Sequence, residues 1–123
     1  MQYMLLIYDD PQTWAGMGED ERNAVLGEYF AYTEELRKAG AFVAGEALQP
    51  TATAKSVRVR DGDEVVTDGP FAETKEVFGG FYLVDVDSEE DALRWAAKIP
   101  SSRFGTIEVR PTVVYDREPA AAS

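Results

Sequence analysis

The sequence predicts an α+β domain of the ferredoxin-like, split βαβ kind, with one β-hairpin inserted between its two halves. Three observations carry that reading. Two short runs, Gln2 to Tyr8 and Phe78 to Asp87, are apolar on both alternating faces, as central strands are. Two other stretches place apolar residues at helical spacing. Between them, Val57 to Asp68 reads as two alternating runs folded about Asp61-Gly62-Asp63.

In the first strand, Met4, Leu6 and Tyr8 face one way and Tyr3, Leu5 and Ile7 the other. An Asp10-Pro11 loop follows. Val25, Tyr29, Tyr32 and Leu36 then recur at helical spacing beside Leu26, Phe30 and Thr33, while Glu28, Glu34, Glu35 and Arg37 fill the polar side; with Gly40 as the stop, the helix runs from Glu19 to Ala39. Ala41 to Leu48 is the second strand, ended by Pro50, with Gly45 read as a bulge. In the hairpin, loop residues Gly62 and Asp63 set Val59 opposite Val66 and Val57 opposite Asp68; a one-residue shift pairs Val59 with Glu64 instead, and the first register matches polarity better. After the Phe78 to Asp87 strand, Ser88 with Asp91 makes a capping box for a helix carrying Leu93, Ala96 and Ala97 that ends before Pro100. Thr106 to Tyr115 alternates Ile107, Val109 and Val113 against Glu108, Arg110 and Thr112, a last half-exposed strand. Residues 1–117 form one domain and 118–123 a frayed tail. Two helices cover one face of such a sheet, yet its central strands are apolar on both, so the bare face calls for a second copy of the chain.

Composition narrows the chemistry. The formal net charge is -11, from 12 Lys plus Arg against 23 Asp plus Glu, which repels phosphate backbones and anionic lipid and speaks against direct nucleic-acid or membrane partners. There is no Cys and no His, so thiolate and imidazole chemistry are both excluded, and no cofactor or metal is expected. Any catalysis must use carboxylates, Tyr, Lys, Arg or backbone dipoles. Met1 to Asp10 has no basic leader and too short an apolar run for a signal or a span, so the expected location is cytoplasmic.

The most distinctive stretch is Val66-Thr67-Asp68-Gly69-Pro70-Phe71-Ala72-Glu73-Thr74-Lys75-Glu76. Asp68 closes a strand, Gly69 allows positive φ and Pro70 fixes φ without an N–H, so the chain turns sharply there. On one reading Asp68 merely fixes the turn by accepting the Phe71 N–H, and Glu73, Lys75 and Glu76 are solvated surface charge. On the other, Asp68 and Glu73 are acid/base carboxylates in one cavity and Lys75 holds an anionic group; Phe71 is either a core plug, the favoured reading, or a pocket wall. Glu46 interrupts an apolar strand and is either paired by Arg58, Arg60 or Arg110 or is a further pocket carboxylate. Tyr29, Tyr32 and Tyr82 are core residues or ligand contacts.

That eleven-residue motif resembles the DGPF branch of the YCII-related proteins. So do Tyr3-Met4-Leu5-Leu6-Ile7-Tyr8, Glu34-Glu35-Leu36-Arg37-Lys38-Ala39-Gly40, Gly45-Glu46-Ala47-Leu48, Gly79-Gly80-Phe81-Tyr82 and Ile107-Glu108-Val109-Arg110-Pro111, which span nearly the whole chain. The resemblance implies a ferredoxin-like fold pairing as a dimeric α+β barrel. It further implies a His-Asp pair in a cleft, by likeness to lactone isomerases of that fold; lacking His, this chain keeps at most the Asp68 half. It also implies a link to extracytoplasmic-function sigma factors. Two functions are therefore carried forward. One is a homodimeric accessory module, with a small acidic or phenolic ligand or a sigma factor as partner and a pocket of Glu46, Asp68, Phe71, Glu73, Lys75 and Tyr82. The other is a cofactor-independent isomerase, lyase or monooxygenase-like enzyme in which Asp68 or Glu73 moves a proton while Lys75 or Arg110 stabilises negative charge. A purely structural dimer would leave the pocket empty.

Overall fold

The structure, a computed structural model, describes residues 1–115. The tail expected over residues 118–123, and the boundary at 117, lie outside the described residues.

Among the described residues, six strands and three α-helices follow in the order β1 (Gln2–Asp9), α1 (Pro11–Ala15), α2 (Glu19–Lys38), β2 (Phe42–Ala47), β3 (Lys55–Arg60), β4 (Asp63–Asp68), β5 (Val77–Asp85), α3 (Glu89–Lys98) and β6 (Thr106–Pro111). Four of the strands form an antiparallel sheet in the order β2-β5-β1-β6, which is the ferredoxin-like arrangement. The two strands that are apolar on both faces, β1 and β5, are its centre. Directly opposite residues share a face, so Gly45, Tyr82, Leu5 and Val109 make one row toward the helices and Glu46, Phe81, Leu6 and Glu108 make the next row on the bare face. The core lies between the sheet and α2 and α3, where Leu5, Leu36, Val84 and Ile99 are fully buried and the Tyr32 hydroxyl donates to the Trp95 carbonyl at 2.8 Å.

Helix α2 ends as its sequence dictates. Gly40 takes φ +72°, its N–H and that of Ala41 bond back to the carbonyls of Arg37 and Leu36, and acidic Glu19, Asp20 and Glu21 sit opposite basic Arg37 and Lys38 along the helix dipole. None of the helices is long and apolar enough to cross a membrane among the described residues.

Four expectations are corrected. The Asp10-Pro11 segment is not a loop but opens α1: the Asp10 carboxylate accepts the Gln12 N–H at 2.9 Å and Pro11 occupies the first turn, where its missing N–H costs nothing. In the hairpin, Val59 faces Glu64 and Val57 faces Val66, so the loop is Asp61-Gly62, one residue earlier than polarity suggested. Both of these residues have positive φ, 51° and 81°, the backbone of a tight primed turn, and turn geometry outweighs side-chain matching on a ribbon this exposed. The irregularity in β2 falls between Phe42 and Ala44, not at Gly45. Gly45 instead lets the Tyr82 ring lie on the strand, since a Cβ there would come within 2.9 Å of it. Finally, β6 stops at Pro111, and Val113, Val114 and Tyr115 are exposed beyond it.

Strands β3 and β4 pair only with each other. From Lys55 to Asp68 every residue except Ser56 is exposed, Val57, Val59, Val65 and Val66 included. The hairpin is a two-stranded ribbon set apart from the body.

Candidate functional site

Strand β1 does not finish its inward row at Ile7. The next residue of that parity is Asp9, an acid only 8% exposed at the strand end. Three features enclose it. Helix α1 reverses the chain so that the Trp14 indole N–H donates to Asp9 Oδ2 at 2.9 Å, and the Trp14 ring is braced edge-on by Phe104, 5.6 Å away. Gly105 packs against the strand so closely that a Cβ would lie 2.3 Å from the Tyr8 carbonyl oxygen and 2.9 Å from Asp9 Cβ. Gly79, across the sheet, would place a Cβ 3.7 Å from Asp9 Oδ1. No donor among the described residues reaches Oδ1, and since no buried side-chain oxygen lacks a partner, this atom keeps access to the space in front of it.

That space is a groove of about 710 Å³ between α2 and the β2-β5 side of the sheet. Its size is that of a small-molecule site. Asp9 and Trp14 stand with Tyr29 at one end; Phe30, Thr33 and Arg37 follow along α2, and Phe42 and Tyr82 come from the strands, while Phe78 and Phe81, on the opposite face of β5, only border it at the sheet edge. Gly79 leaves the approach to Asp9 Oδ1 open, while Gly45 and Gly80 admit the Tyr82 ring and the β2 backbone, which a Cβ at either would meet within 3.0 Å.

The polar groups of the groove are mostly spoken for. The Tyr29 hydroxyl is hydrogen-bonded to buried Ser101, and burial raises its pKa above the usual phenol value. Thr33 donates its one hydroxyl proton to the Tyr29 carbonyl at 2.9 Å, so the Tyr82 hydroxyl, 2.9 Å away, must be the donor to Thr33 Oγ1. Burial raises the pKa of Tyr82 also, against a smaller opposing effect of that hydrogen bond, and raises that of Tyr32, whose ring meets Tyr82 edge-on at 5.1 Å. These phenols are neutral at physiological pH. Apart from Glu46 at the exposed edge, two charged groups stay available: Asp9 through Oδ1, and Arg37, whose guanidinium lies 4.7 Å above the Phe42 ring and forms no ion pair among the described residues.

Of the residues singled out from sequence, Tyr82 and Glu46 border the groove, Glu46 as an exposed residue of an edge strand. No arginine pairs with Glu46 among the described residues. Asp68, Phe71, Glu73 and Lys75 are not brought to the groove, and the six-residue pocket expected from sequence does not assemble. Asp68, its side chain 86% exposed, pairs with Lys55 across the ribbon rather than accepting the Phe71 N–H. Phe71 is 80% exposed, neither core nor wall. Gly69, at φ +93°, donates its N–H to the Ala54 carbonyl at 2.8 Å and accepts the Ser56 hydroxyl at 2.9 Å, so the Asp-Gly-Pro turn clasps the ribbon's base. Glu73 is an exposed loop residue, and Lys75 borders a separate shallow depression with Asp10, Pro11, Gln12 and Thr74. Arg110 sits opposite Met4 on the bare face of the sheet. Among the described residues no cluster of three or more acidic side chains is placed to hold a metal.

Asp9 and Trp14 were missed by sequence reasoning. The parity of β1 already aimed Asp9 inward, and Asp10-Pro11 carried the start signal of the helix that returns Trp14.

The profile of the YCII-related domain matches residues 1–115. The chain is also 35% identical, over 117 residues covering 94% of each protein, to an uncharacterized protein of Rhizobium meliloti (strain 1021).

Proposed function

This chain belongs to the YCII-related domain family, and from that premise we propose that it is a small-molecule-binding module whose site is the groove headed by Asp9. The observation that carries the proposal is a groove of about 710 Å³, walled by aromatic rings, with a mostly buried carboxylate at its end that keeps one oxygen without a donor. A cavity lined by apolar surface with a few fixed polar groups is the usual form of a ligand site. The module works as a homodimer: Met4, Leu6, Phe81 and Leu83 give the helix-free face of the sheet an apolar surface that a second copy would cover, completing the α+β barrel. In the sigma-factor setting that the resemblance implies, the dimer serves as an accessory protein reporting its ligand.

The test is a thermal-shift screen of small phenolic, acidic and lactone compounds on the native protein and on Asp9→Asn. Ligand that binds the native state raises its Tm. A shift in the native protein that is lost or reduced in the variant supports the site; shifts identical in both place binding elsewhere.

A cofactor-independent enzyme is the second reading, favoured by the same Asp9 oxygen, which is positioned to accept a proton from a bound molecule. It is distinguished by turnover that Asp9→Asn abolishes without loss of binding.

A further inference from the structure

Two of the three charged residues bordering the groove, Asp9 and Arg37, have opposite sign and stand apart along α2, while Glu46 belongs to the bare-face row of its edge strand. Tyr29, beside Asp9, and Arg37 are eight residues apart on α2, which at about 1.5 Å per residue separates them by roughly 12 Å. Between these ends the groove offers Phe30, Phe42 and Tyr82, with the Tyr82 hydroxyl already paired. Resting on these observations and on the groove being the binding site, we infer that the ligand is an elongated, largely aromatic hydroxy acid that lies along α2 in one direction. Its carboxylate meets Arg37 and its hydroxyl donates to Asp9 Oδ1.

Three points support that polarity. Oδ1 can only accept while Asp9 is ionised, so the end of the ligand placed there must donate. An anionic group at that end would face the carboxylate at close range and be repelled, whereas at the other end the Arg37 guanidinium stands over the Phe42 ring, 4.7 Å from its centre, with donors that a carboxylate can take in pairs. Arg37 also has no acidic partner to displace among the described residues, although the chain carries 23 acids. A molecule apolar at both ends would leave both charges unused.

The experiment is isothermal titration calorimetry of the full chain with four matched probes: para-coumaric acid, cinnamic acid, methyl para-coumarate and methyl cinnamate. Circular dichroism melts establish that Asp9→Asn and Arg37→Gln remain folded. On the native protein para-coumaric acid should bind best, and loss of the charge or of the hydroxyl should each weaken binding by roughly threefold to tenfold. Arg37→Gln should erase the preference for acid over methyl ester while leaving the preference for hydroxyl, and Asp9→Asn should do the reverse. Equal binding of all four probes, or preferences unchanged in both variants, overturns the polarity while leaving the groove as a site. No binding by any probe at millimolar concentration overturns the inference together with the site on which it rests.

Discussion

Trp14 bonds back onto the strand that precedes it: its indole N–H reaches the carboxylate of Asp9, five residues earlier, across the turn that Asp10 and Pro11 initiate. A mostly buried carboxylate needs such a donor, because an unpaired one is costly to desolvate. Trp14→Phe should therefore lower stability by about 1–3 kcal/mol in urea denaturation. The effect should shrink in an Asp9→Asn background, since the two residues are in direct contact and a double-mutant cycle exposes their coupling.

Close approach of backbone at Gly105 is a second support for Asp9. Gly105→Ala would drive a methyl group against the Tyr8 carbonyl oxygen, so a loss on the order of 1–3 kcal/mol or more is expected from overpacking. Gly27→Ala is the matched control. It lies inside α2 with no atom near its missing Cβ, and should gain about 0.5–1 kcal/mol of helix stability. Chemical denaturation of both variants measures the contrast.

Asp68→Asn should be nearly silent. Its partner Lys55 is also well exposed, and an exposed pair contributes about 1 kcal/mol at most. Calorimetric affinities for para-coumaric acid should match those of the native protein, in contrast to Asp9→Asn.

Alkaline pH should unfold the protein through its buried phenols. Tyr29, Tyr32 and Tyr82 have pKa values raised in the folded state, principally by burial. Below about pH 10, the ordinary value for Tyr, these phenols are protonated in both states and the contribution to stability is complete. Above it the unfolded chain releases protons that the native state retains, so stability falls as pH rises toward the folded pKa values. Phenolate absorbance from these three residues should appear together with loss of the circular dichroism signal, and a Tyr82→Phe variant should soften the pH dependence.

Leu6→Glu should separate the proposed dimer. It places a third carboxylate in the row that holds Glu46 and Glu108, on the face where a second copy would pack. Sedimentation velocity should report a shift from dimer to monomer mass, while a native protein that sediments as a monomer would leave that face without a second copy.

The strands of the body and its two longer helices were legible because burial writes them into spacing: β1 and β5 are two-faced, α2 carries a stripe, and Gly40 stops it, whereas short α1 buries no residue and left no stripe to read. The hairpin register was not legible, because on a ribbon without a buried face polarity no longer selects the pairing, and the turn at Asp61-Gly62 does. The site was half legible. Tyr82 could be placed from its central strand, but a conspicuous motif drew the search to Asp68 and Glu73. The Asp-Gly-Pro turn has an architectural reason for its residues, whereas Asp9 lies where an ordinary alternation meets a five-residue helix.

The ribbon of β3 and β4 divides the molecule into two cooperative units. A lone two-stranded hairpin is marginally stable in water, and this one draws little support from the body, so its hydrogen bonds can open while the four-stranded sheet stays closed. Its amides should exchange with solvent far ahead of those of β1 and β5. The Asp-Gly-Pro clasp at its base marks where that local melting ends, which makes the Asp61-Gly62 tip a place where the chain can be lengthened or cut without a signal reaching Asp9.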